Sequence, residues 1–207
     1  MEFPYPWSVY RWLAGEDVAA RTAVDLCDVA SQLGEFIAAL QRIETAGAPV
    51  SPRATPVDAR GDDVVRFTIR QLSEEGSLDG DAAAAVWESA LAAPSWNRPL
   101  VWIHGDLFPS NLLAVLGRLA AVIDFGLLGL GDPATDMLPA WILLTARSRE
   151  LFRAAAEVDD ATWVRGRGWA LRAGLGAVRV YRKTNPALAA AGRHAIDQVV
   201  ADHQNST

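Results

Sequence analysis

Three short apolar runs in the middle of the chain constrain the fold most strongly. They are Leu100–Ile103, Leu112–Val115 and Leu119–Ile123, and each has the length and composition of a buried β-strand. The segment Leu116-Gly117-Arg118 separates the last two runs and predicts a tight hairpin. Because polar residues follow two of the runs directly, the pattern predicts a place where polar side chains meet at strand ends.

Helical patterns surround these runs. Apolar residues at every third or fourth position predict a long amphipathic helix that starts at a cap, Asp17, and continues to about Ile43. Two shorter helices are predicted over Val64–Leu72 and Asp81–Ala93, after an irregular crossing at residues 46–62 that is rich in glycine and proline.

The two ends of the chain differ. Trp7–Leu13 is rich in aromatic and β-branched residues and predicts a strand that ends at Ala14-Gly15. Everything after Pro133 is predicted to be helical, with a kink at Pro139. The later helices are expected over Thr162–Lys183, despite four glycines, and from Asn185-Pro186 to about Asp202. The predicted fold class is therefore α+β, mainly helical.

Composition excludes several classes of protein. Of the 207 residues, 51% are hydrophobic and 21% are charged, which is typical of a globular chain. The single Cys27 cannot form an internal disulfide, and the net charge of −6 argues against a nucleic-acid polymer as partner. The longest uncharged apolar stretch, Leu138–Ala146, is too short to span a bilayer, and Met1–Pro6 lacks the features of a signal peptide. We expect a soluble cytoplasmic protein without membrane contact.

Three polar side chains stand at the ends of the central runs. Asp106 follows the first run, Asn111 precedes the second, and Asp124 follows the third. Carboxylate and amide oxygens suit Mg²⁺ when phosphate oxygens and waters complete its coordination. Phosphoryl transfer needs an oriented acceptor hydroxyl and cations near the phosphates, so this set of residues is compatible with that chemistry.

The motifs that contain these residues resemble those of a known family. His104-Gly105-Asp106-Leu107-Phe108-Pro109-Ser110-Asn111 resembles the catalytic loop of the kinase-like small-molecule phosphotransferases, and Asp124-Phe125-Gly126 resembles their metal-binding turn. Gly131-Asp132-Pro133-Ala134-Thr135-Asp136 is similar to a further stretch of the aminoglycoside phosphotransferase family. The resemblance implies the C-lobe of the protein-kinase-like fold, with a short catalytic β-hairpin.

The resemblance also implies the role of each residue. Asp106 would be the catalytic residue that orients or accepts the substrate proton, while Asn111 and Asp124 would hold Mg²⁺ that bridges the nucleotide phosphates. His104 would pack beneath the loop and bond to the backbone near Asp124, and Asp136 would anchor the loop through its backbone amides. The implied reaction moves the γ-phosphoryl group of ATP to a hydroxyl of a small molecule, with a cationic aminoglycoside-type antibiotic as the leading expectation.

The sequence departs from the family at its start. No glycine-rich loop precedes the motifs, and the only lysine is Lys183. Residues 1–15 are therefore expected to be a remnant of the N-lobe, in which Arg11, Trp12 and Leu13 would form the nucleotide hinge, and residues 16–207 the helical C-lobe. We expect the chain alone to bind ATP weakly or not at all and to turn over little. A truncated reading frame, a one-lobe fragment and natural loss of the nucleotide clamp all remain open.

Other functions are compatible with the same residues. A catalytically silent binding module is one alternative, and a metal-dependent phosphohydrolase is a weaker one, because a second metal would normally be needed. The acceptor could also be a macrolide, choline, homoserine or a sugar. The acidic residues Glu157, Asp159 and Asp160 indicate either a patch for a cationic substrate or a solvated loop with a helix cap.

Overall fold

The computed structural model describes Trp7 and residues 9–18, 24–54 and 61–206. Helices dominate these residues, and short strands occupy the middle of the chain. The strands are β1 (Glu16–Asp17), β2 (Val101–Ile103), β3 (Leu112–Val115), β4 (Arg118–Val122) and β5 (Gly129–Gly131). The α-helices are α1 (Leu26–Gln41), α2 (Asp62–Glu74), α3 (Gly80–Ala92), α4 (Pro139–Ile142), α5 (Ala146–Ala155), α6 (Asp160–Tyr181) and α7 (Pro186–Gln204). Three short 3-10 helices cover Pro109–Asn111, Phe125–Leu127 and Pro133–Met137.

The strands form two small antiparallel sheets. One sheet has the order β1-β3-β4, and its hairpin pairs Leu112 with Val122. The other sheet pairs β2 with β5, so that Trp102 lies opposite Leu130. All three apolar runs of the sequence therefore contain strands, as predicted, but they divide between two sheets. The sequence did not predict strand β5, because Gly129–Gly131 is too short and too rich in glycine to show the pattern of a strand.

A single helical core supports both sheets. Helix α6 packs against α3, α7 and the 3-10 helix Pro133–Met137, while α1 packs against α5. The largest fully buried side chains come from many of these elements: Trp87, Trp141, Phe152, Leu33, Leu171 and Leu175. None of the helices in the described ranges combines the length and the apolar character that crossing a membrane would require.

The predicted strand over Trp7–Leu13 does not form. Among its described residues the backbone is irregular, and Ser8 lies outside the described residues. Trp12 is 92% exposed and Val9 is 84% exposed, so the aromatic and β-branched side chains that suggested a strand have no apolar surface beneath them. Strand propensity depends on pairing and burial, and here the pairing begins only at the two residues of β1, which face β3.

The first long helix begins later than predicted. Asp17 lies in β1 and is not a helix cap. Instead the Asp25 carboxylate accepts hydrogen bonds from the backbone N–H groups of Cys27, at 2.9 Å, and Asp28, at 3.3 Å, and so caps α1. Residues 19–23, which the prediction placed inside this helix, lie outside the described residues.

Pro139 begins a helix and does not kink one. It occupies the first turn of α4, where a missing N–H costs nothing, and the preceding residues form a separate 3-10 helix. Helix α6 is continuous, as predicted, although it contains four glycines. A Cβ on Gly174 would lie 2.6 Å from the carbonyl oxygen of Gly192 in α7, so this glycine permits two helix backbones to approach closely.

The glycines of α6 give a matched test of this packing. Gly174→Ala should destabilise the fold by about 1–3 kcal/mol, because backbone atoms of α7 cannot move away from the new methyl group. Gly176→Ala should instead stabilise it by up to about 1 kcal/mol, because nothing lies within 4 Å of its added Cβ. Urea unfolding of both variants measures the difference, and equal stabilities would contradict the close approach of α6 and α7.

Candidate active site

The loop that follows β2 is held by one buried carboxylate. Asp136 is fully buried, and its two oxygens accept hydrogen bonds from the backbone N–H groups of His104, at 2.7 Å, and Gly105, at 2.8 Å. Gly105 has a φ of +81°, and a Cβ there would lie 3.1 Å from the Leu127 carbonyl oxygen. The loop therefore turns sharply at a position that requires glycine, directly before Asp106.

The environment of Asp136 opposes its charge. Burial raises the pKa of Asp136 to about 6, although the two amide hydrogen bonds act in the opposite direction. The carboxylate is ionised at neutral pH and then accepts both bonds. Its burial therefore reduces the free energy of unfolding at neutral pH, while its two bonds fix the position of the loop.

His104 is a buried structural residue. Its Nε2 lies 3.0 Å from the Ile123 carbonyl oxygen, and its Nδ1 lies 3.3 Å from the backbone nitrogen of Asp106. An Nε2–H donor and an unprotonated Nδ1 acceptor satisfy both contacts, so the geometry selects one neutral tautomer. Burial also lowers the pKa of His104, in agreement with that state. The imidazole ring packs against Phe125 at a centroid distance of 4.8 Å.

Asp106 and Asn111 are joined by the backbone turn between them. The Asn111 side-chain nitrogen donates to the Asp106 carbonyl oxygen at 2.8 Å and lies 3.3 Å from its carboxylate. The Asn111 backbone N–H donates to Phe108 at 2.9 Å, which closes the 3-10 turn before β3. Because the amide nitrogen is turned toward Asp106, the amide oxygen of Asn111 is the atom left to face a cation.

Asp124 lies beside Asn111 because one further backbone hydrogen bond forms beyond the paired residues of the β3–β4 hairpin. The backbone N–H of Ile123 donates to the carbonyl oxygen of Asn111 at 2.9 Å. Asp124 itself has a left-handed backbone, with φ at 64°, and its side chain accepts a bond from Gly126 at 3.4 Å. Such a conformation is uncommon outside glycine and often marks a functional site.

One cavity collects all three side chains. It has a volume of about 620 Å³, and its lining includes Asp106, Asn111 and Asp124. Among the described residues, no group of three or more His, Cys, Asp or Glu side chains is placed to hold a metal ion. Asp106, Asn111 and Asp124 together bring two carboxylates and one amide oxygen to this cavity.

Four further residues that line the cavity were not predicted as functional: Arg53, Thr135, Trp169 and Arg172. The Arg53 guanidinium lies 3.8 Å from the Asp106 carboxylate. Ser51, two residues earlier, fixes this segment through a 2.7 Å bond to Leu127. The sequence carried no signal for these residues, because Arg53 belongs to an irregular segment and Trp169 has the pattern of a core residue.

Other residues singled out from the sequence lie elsewhere. Arg11, Trp12 and Leu13 are exposed and irregular and do not line the cavity, so the hinge stays a prediction without the strand on which it depended. Asp159 caps α6 through the backbone N–H of Thr162 and pairs with Arg98 at 3.3 Å. Its acidic neighbours Glu157 and Asp160 also pair with arginines, Arg42 and Arg153. None of these acidic residues lines the cavity.

Comparisons with known proteins find a matching family model and similar folds. The model of the phosphotransferase enzyme family matches residues 2–175. The structure of the GDP complex of wild-type aminoglycoside 2'-phosphotransferase-IIIa is similar, with 19% identity, a TM-score of 0.60 and coverage of 94% of this chain and 70% of that chain. The GDP and kanamycin complex of APH(2")-IIIa gives 21% identity, a TM-score of 0.59 and coverage of 93% and 70%.

A macrolide phosphotransferase extends the comparison. The apoenzyme of macrolide 2'-phosphotransferase MphH from Brachybacterium faecium has 23% identity and a TM-score of 0.51, and the match covers 84% of this chain and 61% of that chain. No curated protein sequence matches significantly. At these identities the solved structures establish the fold, and they confirm the predicted α+β, mainly helical class.

The buried Asp136 makes a testable contribution to the pH dependence of stability. Because its pKa is raised to about 6 in the folded protein, its stabilising contribution is largest in acid and is lost as the pH rises. Relative to Asp136→Asn, the wild-type free energy of unfolding should fall by up to about 3 kcal/mol between about pH 4 and about pH 7. Urea unfolding across this range measures the difference; a constant or rising difference would contradict the assignment.

Proposed function

The chain belongs to the phosphotransferase enzyme family, and from that premise we propose that it transfers the γ-phosphoryl group of a nucleoside triphosphate to a hydroxyl group of a small molecule. The observation that carries the proposal is the meeting of Asp106, Asn111 and Asp124 in one cavity, at the ends of short strands. The description of the family names phosphoryl transfer, and the cavity offers a carboxylate for the acceptor hydroxyl and oxygen ligands for a cation.

Asp106 acts on the acceptor. Its carboxylate orients the acceptor hydroxyl and takes its proton as the oxygen attacks the γ-phosphorus. The new bond joins the acceptor oxygen to phosphorus, and the bond that breaks joins phosphorus to the bridging oxygen of the leaving diphosphate. The loop bonds to Asp136 hold Asp106 in place, so the orientation of the hydroxyl costs little entropy during the reaction.

The donor set beside Asp106 fits Mg²⁺. The Asp124 carboxylate and the Asn111 amide oxygen are hard oxygen ligands, and the bonds of the Asn111 nitrogen to Asp106 leave that oxygen available. When bound, Mg²⁺ would neutralise phosphate charge and help to align the triphosphate. The left-handed turn at Asp124 places its carboxylate where the strand ends and the cavity begins.

This chain offers fewer groups that could bind the nucleotide than groups that could bind the acceptor and the cation. Its only lysine, Lys183, lies exposed in the turn between α6 and α7. The sequence holds no glycine-rich loop ahead of Asp106 that would cover the phosphates. We therefore propose that the chain alone binds ATP weakly. GTP is a second candidate donor, because similar solved proteins are complexes with GDP.

The alternative functions require different metal ligands and make different use of the Asp106 carboxylate. A phosphohydrolase that uses two metals would need more ligands than Asn111 and Asp124, and the described residues offer no additional cluster. A silent binding module would keep the fold and the cavity but would not use the Asp106 carboxylate as a base. Loss of that carboxylate therefore separates the enzyme from the module.

A substitution at Asp106 tests the proposal. Asp106→Asn keeps the size of the side chain but removes its ability to take a proton, so phosphoryl transfer should fall at least about a hundredfold. Radiolabelled γ-phosphate transfer from ATP and GTP to a panel of hydroxyl compounds measures the rate. Both the chain alone and the chain co-expressed with the N-terminal lobe of a family relative are assayed.

The matched control is Asp63→Asn, which removes one exposed carboxylate on α2, outside the cavity. The proposal expects wild-type turnover in the control and a large loss in Asp106→Asn, with equal thermal stability in both. Equal turnover in the two variants, or no turnover of any acceptor by the wild type in either assay, would favour the silent module and contradict the proposal.

A further inference from the structure

Two buried polar atoms at the cavity have no partner. Thr135 is 8% exposed and Trp169 is 7% exposed, and both residues line the cavity. The Thr135 hydroxyl oxygen and the Trp169 indole nitrogen make no hydrogen bond to any described residue. Leaving such a group buried and unpaired costs about 1–3 kcal/mol. Each of the two atoms has less than 1 Å² of accessible surface, so neither faces the open space of the cavity, and a ligand there must bind through other groups.

Two arginines face the same end of the cavity. The Arg172 guanidinium lies over the Trp169 ring, 5.1 Å from its centroid, and no carboxylate of the described ranges forms an ion pair with it. Burial, and secondly the positive charge of Arg53, lower the pKa of Arg172. Arg53 has the Asp106 carboxylate as a neighbour at 3.8 Å, whereas Arg172 lies over the indole ring.

This set of groups selects the charge of its ligand. A guanidinium can donate hydrogen bonds but cannot accept them. A ligand group that only accepts and carries negative charge, such as a carboxylate or phosphate, would pair with the Arg172 guanidinium. An ammonium group in this position would be repelled by Arg172, whereas the carboxylates of the cavity, Asp106 and Asp124, lie at the strand ends.

The wall beside these donors is apolar. It is formed on α6, α7 and the start of α4 by side chains that include Leu138, Ala173, Ala177 and Leu188. Gly176 belongs to the same wall, and a Cβ there would meet nothing within 4 Å. Unlike Gly174, this glycine is not required by helix packing, and its missing side chain leaves room in the cavity.

We propose that the acceptor is an amphipathic hydroxy acid, whose carboxylate binds the Arg172 guanidinium while its apolar body lies against Gly176 and Leu188. The inference rests on the proposed phosphotransferase function and narrows its substrate class. The carboxylate is preferred to a nucleotide phosphate as the occupant, because Arg172 lies on α6 among apolar side chains. The ligands proposed for the phosphates, Asn111 and Asp124, lie at strand ends.

Calorimetric titration of small probes into the full chain tests the inference. The probes are 3-phenyllactate, mandelate and 3-hydroxyoctanoate, the neutral methyl ester of each, kanamycin, and ADP with Mg²⁺. At least one acid should bind about tenfold or more tightly than its own ester, because a charge-assisted hydrogen bond is lost in the ester. Arg172→Gln should reduce that preference, and Gly176→Leu should weaken acid and ester alike by filling the cavity.

Arg179→Gln is the matched control, because Arg179 lies exposed on the same helix and does not line the cavity. This variant should keep the wild-type preference for the acid. Absence of an acid preference for all three compounds, tighter binding of kanamycin, or an Arg172→Gln effect on Mg-ADP alone would overturn the inference. The last result would assign Arg172 to the nucleotide.

The binding assay and the turnover assay test the hydroxy-acid subsite and the phosphotransferase activity separately. Acid binding that depends on Arg172, without any transfer by Asp106 in the turnover assay, would leave the anion subsite standing and remove the phosphotransferase. Transfer to a neutral or cationic acceptor that is lost in Asp106→Asn would keep the phosphotransferase and remove the hydroxy-acid subsite.

Discussion

The bond of the Asp136 carboxylate to two backbone amides is the interaction on which the site depends. It fixes the sharp turn at His104 and Gly105, and that turn sets the direction in which Asp106 leaves β2. His104 also links this turn to the sheet β1-β3-β4, because its Nε2 contacts the carbonyl oxygen of Ile123, which follows β4. Asp136 thus joins its own 3-10 helix to the loop after β2 and, through His104, to the end of β4. It does so although its buried charge reduces the free energy of unfolding.

The sequence predicted the local elements of the fold better than their partners. The hairpin of β3 and β4 and the last helix, capped by Asn185, follow from patterns within a few residues and were confirmed. Strand β5 was missed because it depends on a distant partner, and its glycines admit the segment near Ser51. The strand expected at Trp7–Leu13 was wrong because propensity alone does not supply a surface on which to pack.

The same limit applies to the site. Motif spacing identified Asp106, Asn111 and Asp124, because residues close in sequence around a hairpin stay close in space. The residues proposed to choose the acceptor, among them Arg53 and Arg172, come from distant elements whose meeting depends on tertiary packing. The two halves of the cavity therefore differ in origin: strand ends supply the side proposed to react, while helix α6 and the irregular segment of Arg53 supply the side proposed to select the acceptor.

A crystal structure of the chain with Mn²⁺ would test the proposed cation site, because Mn²⁺ replaces Mg²⁺ and is located by its anomalous scattering. We expect one strong anomalous peak bonded to the Asn111 amide oxygen and the Asp124 carboxylate, on the same side of the cavity as Asp106, with ligand distances of about 2.0–2.3 Å. A peak elsewhere, or Asn111 and Asp124 side chains that point away from each other, would show that these strand ends do not build one cation site beside the acceptor.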